Sequence, residues 1–219
     1  MVEKKVIIKE EVKIKVGSTT LDGFLHVPPE ATSIVLFAHG SGSSRHSPRN
    51  QFVAKFIQDG GIATLLFDLL TLEEEEMDMA NRELRFNIPF LAERLIGATE
   101  WIEKYRDTHS FTVGYFGAST GAAAALVAAA ELGEKVKAVV SRGGRPDLAN
   151  HSLKEVRSPT LLIVGGNDFG VIELNQNAFD LLGCKKKFEI VPNATHLFEE
   201  PGTLEEVGRM AALWFKEYL

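Results

Sequence analysis

The sequence predicts an α/β fold: a mostly parallel central sheet with helices on both faces, preceded by an antiparallel hairpin at the N-terminus. Three observations predict it. Short, uninterrupted apolar runs at residues 33–38, 62–67, 111–116, 136–141 and 160–164 read as strands buried on both faces. Stretches of helical periodicity separate most of these runs. Ahead of them, residues 6–16 alternate apolar with charged side chains, as a half-buried strand does, and Gly17-Ser18 turns the chain into a partner strand over 20–27.

The elements follow in order. Pro28-Pro29 closes the hairpin. The run 33–38 leads into a Gly/Ser-rich loop and then helical spacing over 52–58. After the run 62–67, the acidic stretch 73–76 reads as a solvated loop or helix face inside a loop spanning 69–82. Leu84, Ile88, Leu91, Leu95, Ala98 and Ile102 step by four and three, giving one apolar face, and Pro89 places the main helix start near Asn87. An alanine-rich helix over 121–132 follows the third run. A helix near 172–182 and a strand over 187–191 come after the fifth. The last helix, 204–218, is preceded by Thr203-x-x-Glu206, the spacing of a capping box. Neither a repeat nor a linker divides the chain, so one domain over 1–219 is expected. The short segment 142–159 holds no large helical cap.

Composition excludes several classes. The chain has 219 residues, 45% hydrophobic and 25% charged, which is ordinary for a globular protein. Its formal net charge is −6, against the basic excess of a nucleic-acid binder. Lys185-Lys186-Lys187 reads as a solvated strand entrance. Cys184 is the only cysteine, so no intrachain disulfide forms, which fits a reducing compartment. No apolar stretch approaches the roughly 20 residues that span a bilayer, and no signal-peptide core is visible. A cytoplasmic location without membrane contact is expected. No Cys/His spacing points to zinc, and the serine-rich loop lacks the Gly-Lys-Ser/Thr ending of a phosphate-binding loop. Neither a metal nor a cofactor is expected.

Ligands of open α/β sheets bind beyond the carboxyl ends of the strands, so the residues after each run carry the chemistry. Gly117-Ala118-Ser119-Thr120-Gly121 is Gly-x-Ser-x-Gly between a predicted strand and helix. There a sharp turn lifts the hydroxyl above the sheet, and the helix N-terminus aims N–H groups at the same point. Gly165-Gly166-Asn167-Asp168 follows the fifth run, and Pro192-Asn193-Ala194-Thr195-His196 follows the strand 187–191. Alone, Asp168 reads as a turn residue bonding its own backbone, and His196 as an exposed polar side chain. Together with Ser119 they stand in the order Ser, acid, His, each after a different strand, which is one of the known triad orders. A neutral serine hydroxyl is a poor nucleophile, so His196 takes its proton and Asp168 orients the imidazole. In His39-Gly40-Ser41-Gly42, the Ser41 N–H pairs with that of Thr120 as an oxyanion hole, while His39 is structural.

These motifs resemble the dienelactone hydrolase-like branch of the α/β-hydrolase superfamily, in element order over roughly residues 33–215. Dienelactone hydrolases proper carry cysteine at the elbow, where this chain has Ser119, and haloalkane dehalogenases need an aspartate there. The resemblance therefore implies ordinary ester chemistry: a serine hydrolase cleaving small carboxylic esters through an acyl-enzyme. A lactonase, thioesterase or small peptidase would use the same triad. A ligand-binding or engineered protein would keep the fold without turnover. Arg45, His46, Arg49, Arg142 and Arg145 follow strand ends and are candidates for holding an acidic substrate group; the alternative is a set of surface salt bridges. Asp68 is a loop-fixing residue or an arginine partner. The partner expected is a small-molecule ester. The oligomeric state is left open.

Overall fold

The computed structural model describes residues 7–219, so Val6, the first residue of the expected N-terminal strand, lies outside the described residues. Eight strands form one sheet: β1 (Ile8–Val16), β2 (Thr19–Val27), β3 (Ser33–Ala38), β4 (Ala63–Phe67), β5 (Thr112–Ala118), β6 (Val136–Arg142), β7 (Thr160–Gly165) and β8 (Lys186–Val191). Their spatial order is β1-β2-β4-β3-β5-β6-β7-β8. β1 pairs antiparallel with β2, and β2 antiparallel with β4. Every later pairing is parallel. From β3 the chain moves outward to β4, and from β5 it moves the other way, so the order reverses between β3 and β5. Such a reversal opens a crevice at the carboxyl ends of the two strands.

The central strands are buried on both faces, as their continuous apolar runs require. In β3, Ile34 and Leu36 join a core that includes residues of α3 (Ile88–Ile102), α4 (Thr120–Leu132) and α5 (Phe169–Leu181). Val35 and Phe37 point to the opposite core, packed by α1 (Pro48–Asp59) and α6 (Thr203–Tyr218). The period-2 alternation of side chains thus divides one strand between two cores. β1 shows the half-buried pattern: Val12 and Ile14 are buried while Lys9, Glu11, Lys13 and Lys15 face solvent.

Three expectations are corrected. Residues 69–82 are not a loop: Leu72–Asn81 form α2. The Thr71 side chain accepts from the Glu74 N–H, and the Glu74 carboxylate accepts from the Thr71 N–H. That reciprocal cap, with Glu73–Glu75 at the positive helix end, starts a helix whose acidic run hid its periodicity. Conversely, Thr203 does not cap α6. It is the first helical residue, its hydroxyl donates to the Glu200 carbonyl, and Gly202 in the left-handed region takes the cap position. Pro89 falls in the first turn of α3, and Asn87 caps that helix through the Phe90 N–H. Lys186 is not simply solvated; its ammonium donates to the Phe179 and Leu182 carbonyls at the end of α5. Residues 146–155 form short 3-10 turns, with no cap inserted.

Candidate active site

Ser119 stands between β5 and α4 with φ 51° and ψ −123°. A residue with a side chain held there carries strain of about 1–3 kcal/mol, which only surrounding structure sustains. The surroundings are visible. The Arg145 N–H donates to the Ser119 carbonyl at 3.0 Å, and the Ala122 N–H donates to the same oxygen at 3.1 Å. Gly121 lets the first turn of α4 press on β3: a Cβ there would fall 2.1 Å from the Ala38 carbonyl oxygen.

The turn after β3 lies beside this elbow, because Ala38 pairs with Gly117 in the sheet register. His39 pins it. Its Nε2 accepts from the Leu69 N–H at 3.0 Å, so Nδ1 carries the proton and donates to the Gly40 carbonyl at 3.0 Å. Burial lowers its pKa, opposed by the Gly40 carbonyl, so the ring is held neutral. Ser41 and Thr120 meet through their hydroxyls at 2.9 Å, which brings the two backbone segments together above the sheet. Ser41 also donates to the Arg85 carbonyl at 3.3 Å. The buried Asp78 of α2 holds Arg85 in turn, accepting from its Nε at 2.5 Å. The arginine beside Asp78 and two backbone N–H groups outweigh burial and lower its carboxyl pKa.

Asp168 and His196 come from β7 and β8. The Asp168 Oδ2 accepts from His196 Nδ1 at 2.7 Å, which leaves Nε2 as the basic nitrogen. Their loops are zipped together. The Gly166 N–H donates to the Val191 carbonyl at 2.8 Å, the Asn167 N–H to that of Ala194 at 2.9 Å, and the Asn167 side chain to that of Asn193 at 3.0 Å. Gly165 permits this approach, since a Cβ there would fall 2.4 Å from the Ala194 oxygen.

Ser119 and His196 line one cleft of about 220 Å³, together with Gly40, Ser41, Arg49 and Arg142. No residue of α2 lines it; α2 closes against the far side of the Gly40–Ser44 turn, around a void of about 20 Å³. The cationic candidates separate. Arg45 is tied to Asp68 by its guanidinium and by its backbone N–H at 2.7 Å. Asp68 is therefore an arginine partner. Arg145 is bound bidentately to Asp147 at 2.9 and 2.8 Å. His46 is exposed and packs edge-on against Phe24. None of these three side chains lines the cleft, whereas Arg142 does. The sequence reading passed over Asn50, which also lines it; its signal was its place in the first turn of a helix directly after the serine-rich loop.

A mostly parallel sheet, a strained serine on the strand-to-helix turn, and an acid–histidine pair beyond the next strands define an α/β-hydrolase fold protein. The chain matches the dienelactone hydrolase family over residues 21–215 and belongs to it. It is 57% identical to a crystal structure described as dienelactone hydrolase from Anabaena variabilis, with TM-score 0.95 over 97% of this chain and 99% of that one. Est1E from Butyrivibrio proteoclasticus shares the fold at 15% identity, with TM-score 0.79 over 94% and 98% of the two chains. Among curated proteins, a Mycobacterium tuberculosis relative named "Putative phosphoribosyl transferase" is 57% identical over 210 residues. That match covers 96% of this chain and 46% of the relative, so the chain spans under half the length of the curated relatives it matches.

Proposed function

We propose that this chain is a serine hydrolase that cleaves small carboxylic esters through an acyl-enzyme. The observation that carries the reading is the 2.7 Å bond from His196 to Asp168, on a histidine that shares its cleft with the strained Ser119. The Ser119 oxygen attacks the ester carbonyl carbon, and His196 Nε2 takes the hydroxyl proton. Asp168 stabilises the imidazolium that results. The developing oxyanion receives the backbone N–H groups of Ser41 and Thr120; losing one such donor typically costs about 10²–10³ in kcat. The leaving alcohol takes the proton from His196, and water then releases the acid by the same route in reverse. A cleft of about 220 Å³ suits small substrates, below the roughly 300–1,000 Å³ of pockets for drug-sized ligands. The 57% identity to a protein described as a dienelactone hydrolase supports hydrolysis, while serine at the elbow favours simple esters.

A fluorophosphonate probe with peptide mapping tests the nucleophile without a known substrate. Ser119 is expected to carry the label, and Ser119→Ala to abolish both labelling and p-nitrophenyl acetate hydrolysis in a folded protein. Full esterase activity in Ser119→Ala would overturn the assignment. The name of the longer mycobacterial relative points to phosphoribosyl transfer, whereas the family match over residues 21–215 of this chain supports hydrolysis.

A further inference from the structure

β8 closes one side of the sheet, and among the described residues no strand lies beyond it. The Thr160 N–H donates to the Lys185 carbonyl at 2.9 Å, and the Gly166 N–H to that of Val191 at 2.8 Å. Along a strand the backbone groups of successive residues point to alternate sides. Lys185, Lys187, Glu189 and Val191 therefore face β7, while Lys186, Phe188 and Ile190 turn their N–H and C=O groups to the open edge. Such a row is a template for another strand.

Lysines commonly guard an open edge by repulsion, but here each of the three has its charge answered inside the chain. Lys185 reaches Glu217 at 3.5 Å, Lys186 donates to the Phe179 and Leu182 carbonyls, and Lys187 reaches Glu189 at 2.6 Å. Apolar surface lies open beside them: Ile190 is 46% exposed and Leu213 of α6 is 59% exposed. A groove of about 360 Å³ between β8 and α6 is bordered by Lys187, Glu189, Met210, Leu213 and Trp214.

We propose that β8 is a dimer interface, at which a second copy of this chain adds its own β8 antiparallel across a two-fold axis at Phe188. Hydrogen bonding and charge fix the axis. A two-fold ladder sets outward groups opposite outward groups, so the axis passes through a residue and not between two. An axis at Lys187 sets two ammonium groups face to face, one at Glu189 sets two carboxylates face to face, and one at Lys186 sets Lys185 against Lys187; all three repel. An axis at Ile190 sets Phe188 against Pro192, which has no N–H to give. The axis at Phe188 instead sets Lys187 opposite Glu189 of the second copy, twice, in the pairs whose side chains lie closest. Phe188 then meets its own copy, and the exposed Ile190 lies along the aliphatic stem of Lys186 of the second copy. The segment Lys187-Phe188-Glu189 is thus complementary to itself, and this holds whatever reaction Ser119 performs.

Sedimentation velocity of the intact chain reads the interface directly. A species of twice the mass of one chain is expected at about 100 µM. Glu189→Lys sets lysines opposite lysines and should return the mass of one chain. Lys187→Glu/Glu189→Lys reverses both charges and should restore the dimer. Cysteine cross-linking in a Cys184→Ser background reads the register. Phe188→Cys should give a disulfide-linked pair under air oxidation, because the Cα atoms of Phe188 and its copy would stand about 5.5 Å apart. Ile190→Cys should not, since its two copies would stand roughly 14 Å apart. The cross-linking comparison decides the matter if Glu189→Lys fails to fold. A wild type that stays monomeric, a dimer that survives in Glu189→Lys, or a Phe188→Cys chain that cross-links no better than Ile190→Cys would each overturn the proposal.

Discussion

Asp168 and Asp68 both stand just past strand ends, and the residues around them separate their roles. Asp68 spends both carboxylate oxygens on Arg45, one on its N–H and one on its guanidinium. Asp168 gives an oxygen to His196. Asp168→Asn keeps the size but replaces a carboxylate oxygen with an NH2 donor, which holds His196 in the wrong tautomer. It is expected to lower kcat on p-nitrophenyl acetate by about 10⁴ with little change in stability. Asp68→Asn should instead cost stability with a far smaller kinetic loss. Steady-state kinetics on the two variants check this, and the opposite ranking would make Asp68 the orienting acid. At this scale the placement of the candidates was readable beforehand: Ser119, Asp168 and His196 each follow a strand, and that context with their chain order singled them out, while the Asp168–His196 contact became visible only in the structure. The fate of each arginine was not readable. Arg142 and Arg145 lie three residues apart on the same exit, yet one is buried without a carboxylate and the other is paired two residues on. Pairing is a tertiary property, and sequence spacing carries no record of it.

Among the elements, the strand-to-helix turn at β5 and α4 depends on Gly121. Gly121→Ala would drive a methyl group into the Ala38 and His39 carbonyl oxygens, both backbone atoms that cannot swing aside. A loss of about 1–3 kcal/mol is expected, read as a lower urea midpoint, and with it a fall in activity as Ser41 and Thr120 separate. A midpoint unchanged from wild type would show that the two elements yield without cost. Strands and long helices were legible because burial on both faces or on one stripe writes a period into the sequence. α2 was not. Leu72–Asn81 presents four consecutive glutamates, so its apolar period is faint, and its only clear mark is the Thr71–Glu74 cap. The Thr203–Glu206 spacing misled in the opposite direction. The same four-residue pattern occurs there, but Gly202 takes the cap position and Thr203 turns its hydroxyl back to Glu200.

For the whole molecule, the neutral His39 couples the Gly40–Ser44 turn to pH. Its folded pKa lies below the ordinary 6.5 because burial disfavours the charged ring. The unfolded chain therefore binds the proton more readily. The stability from keeping His39 neutral is fully present above the ordinary histidine pKa and is lost as pH falls below it. Urea midpoints measured from pH 8 down to pH 5 should decline more steeply in the wild type than in His39→Gln; parallel declines would remove His39 as the cause. The acid and histidine loops have a different consequence for the molecule. Their backbone bonds, Gly166 to Val191 and Asn167 to Ala194, run from one loop to the other, near the end of the sheet and away from its centre. Amides held in this way exchange with solvent by a shared local opening rather than by global unfolding. Heat can then part Asp168 from His196 while both cores stay closed, so loss of catalysis on warming would run ahead of loss of the fold and reverse on cooling.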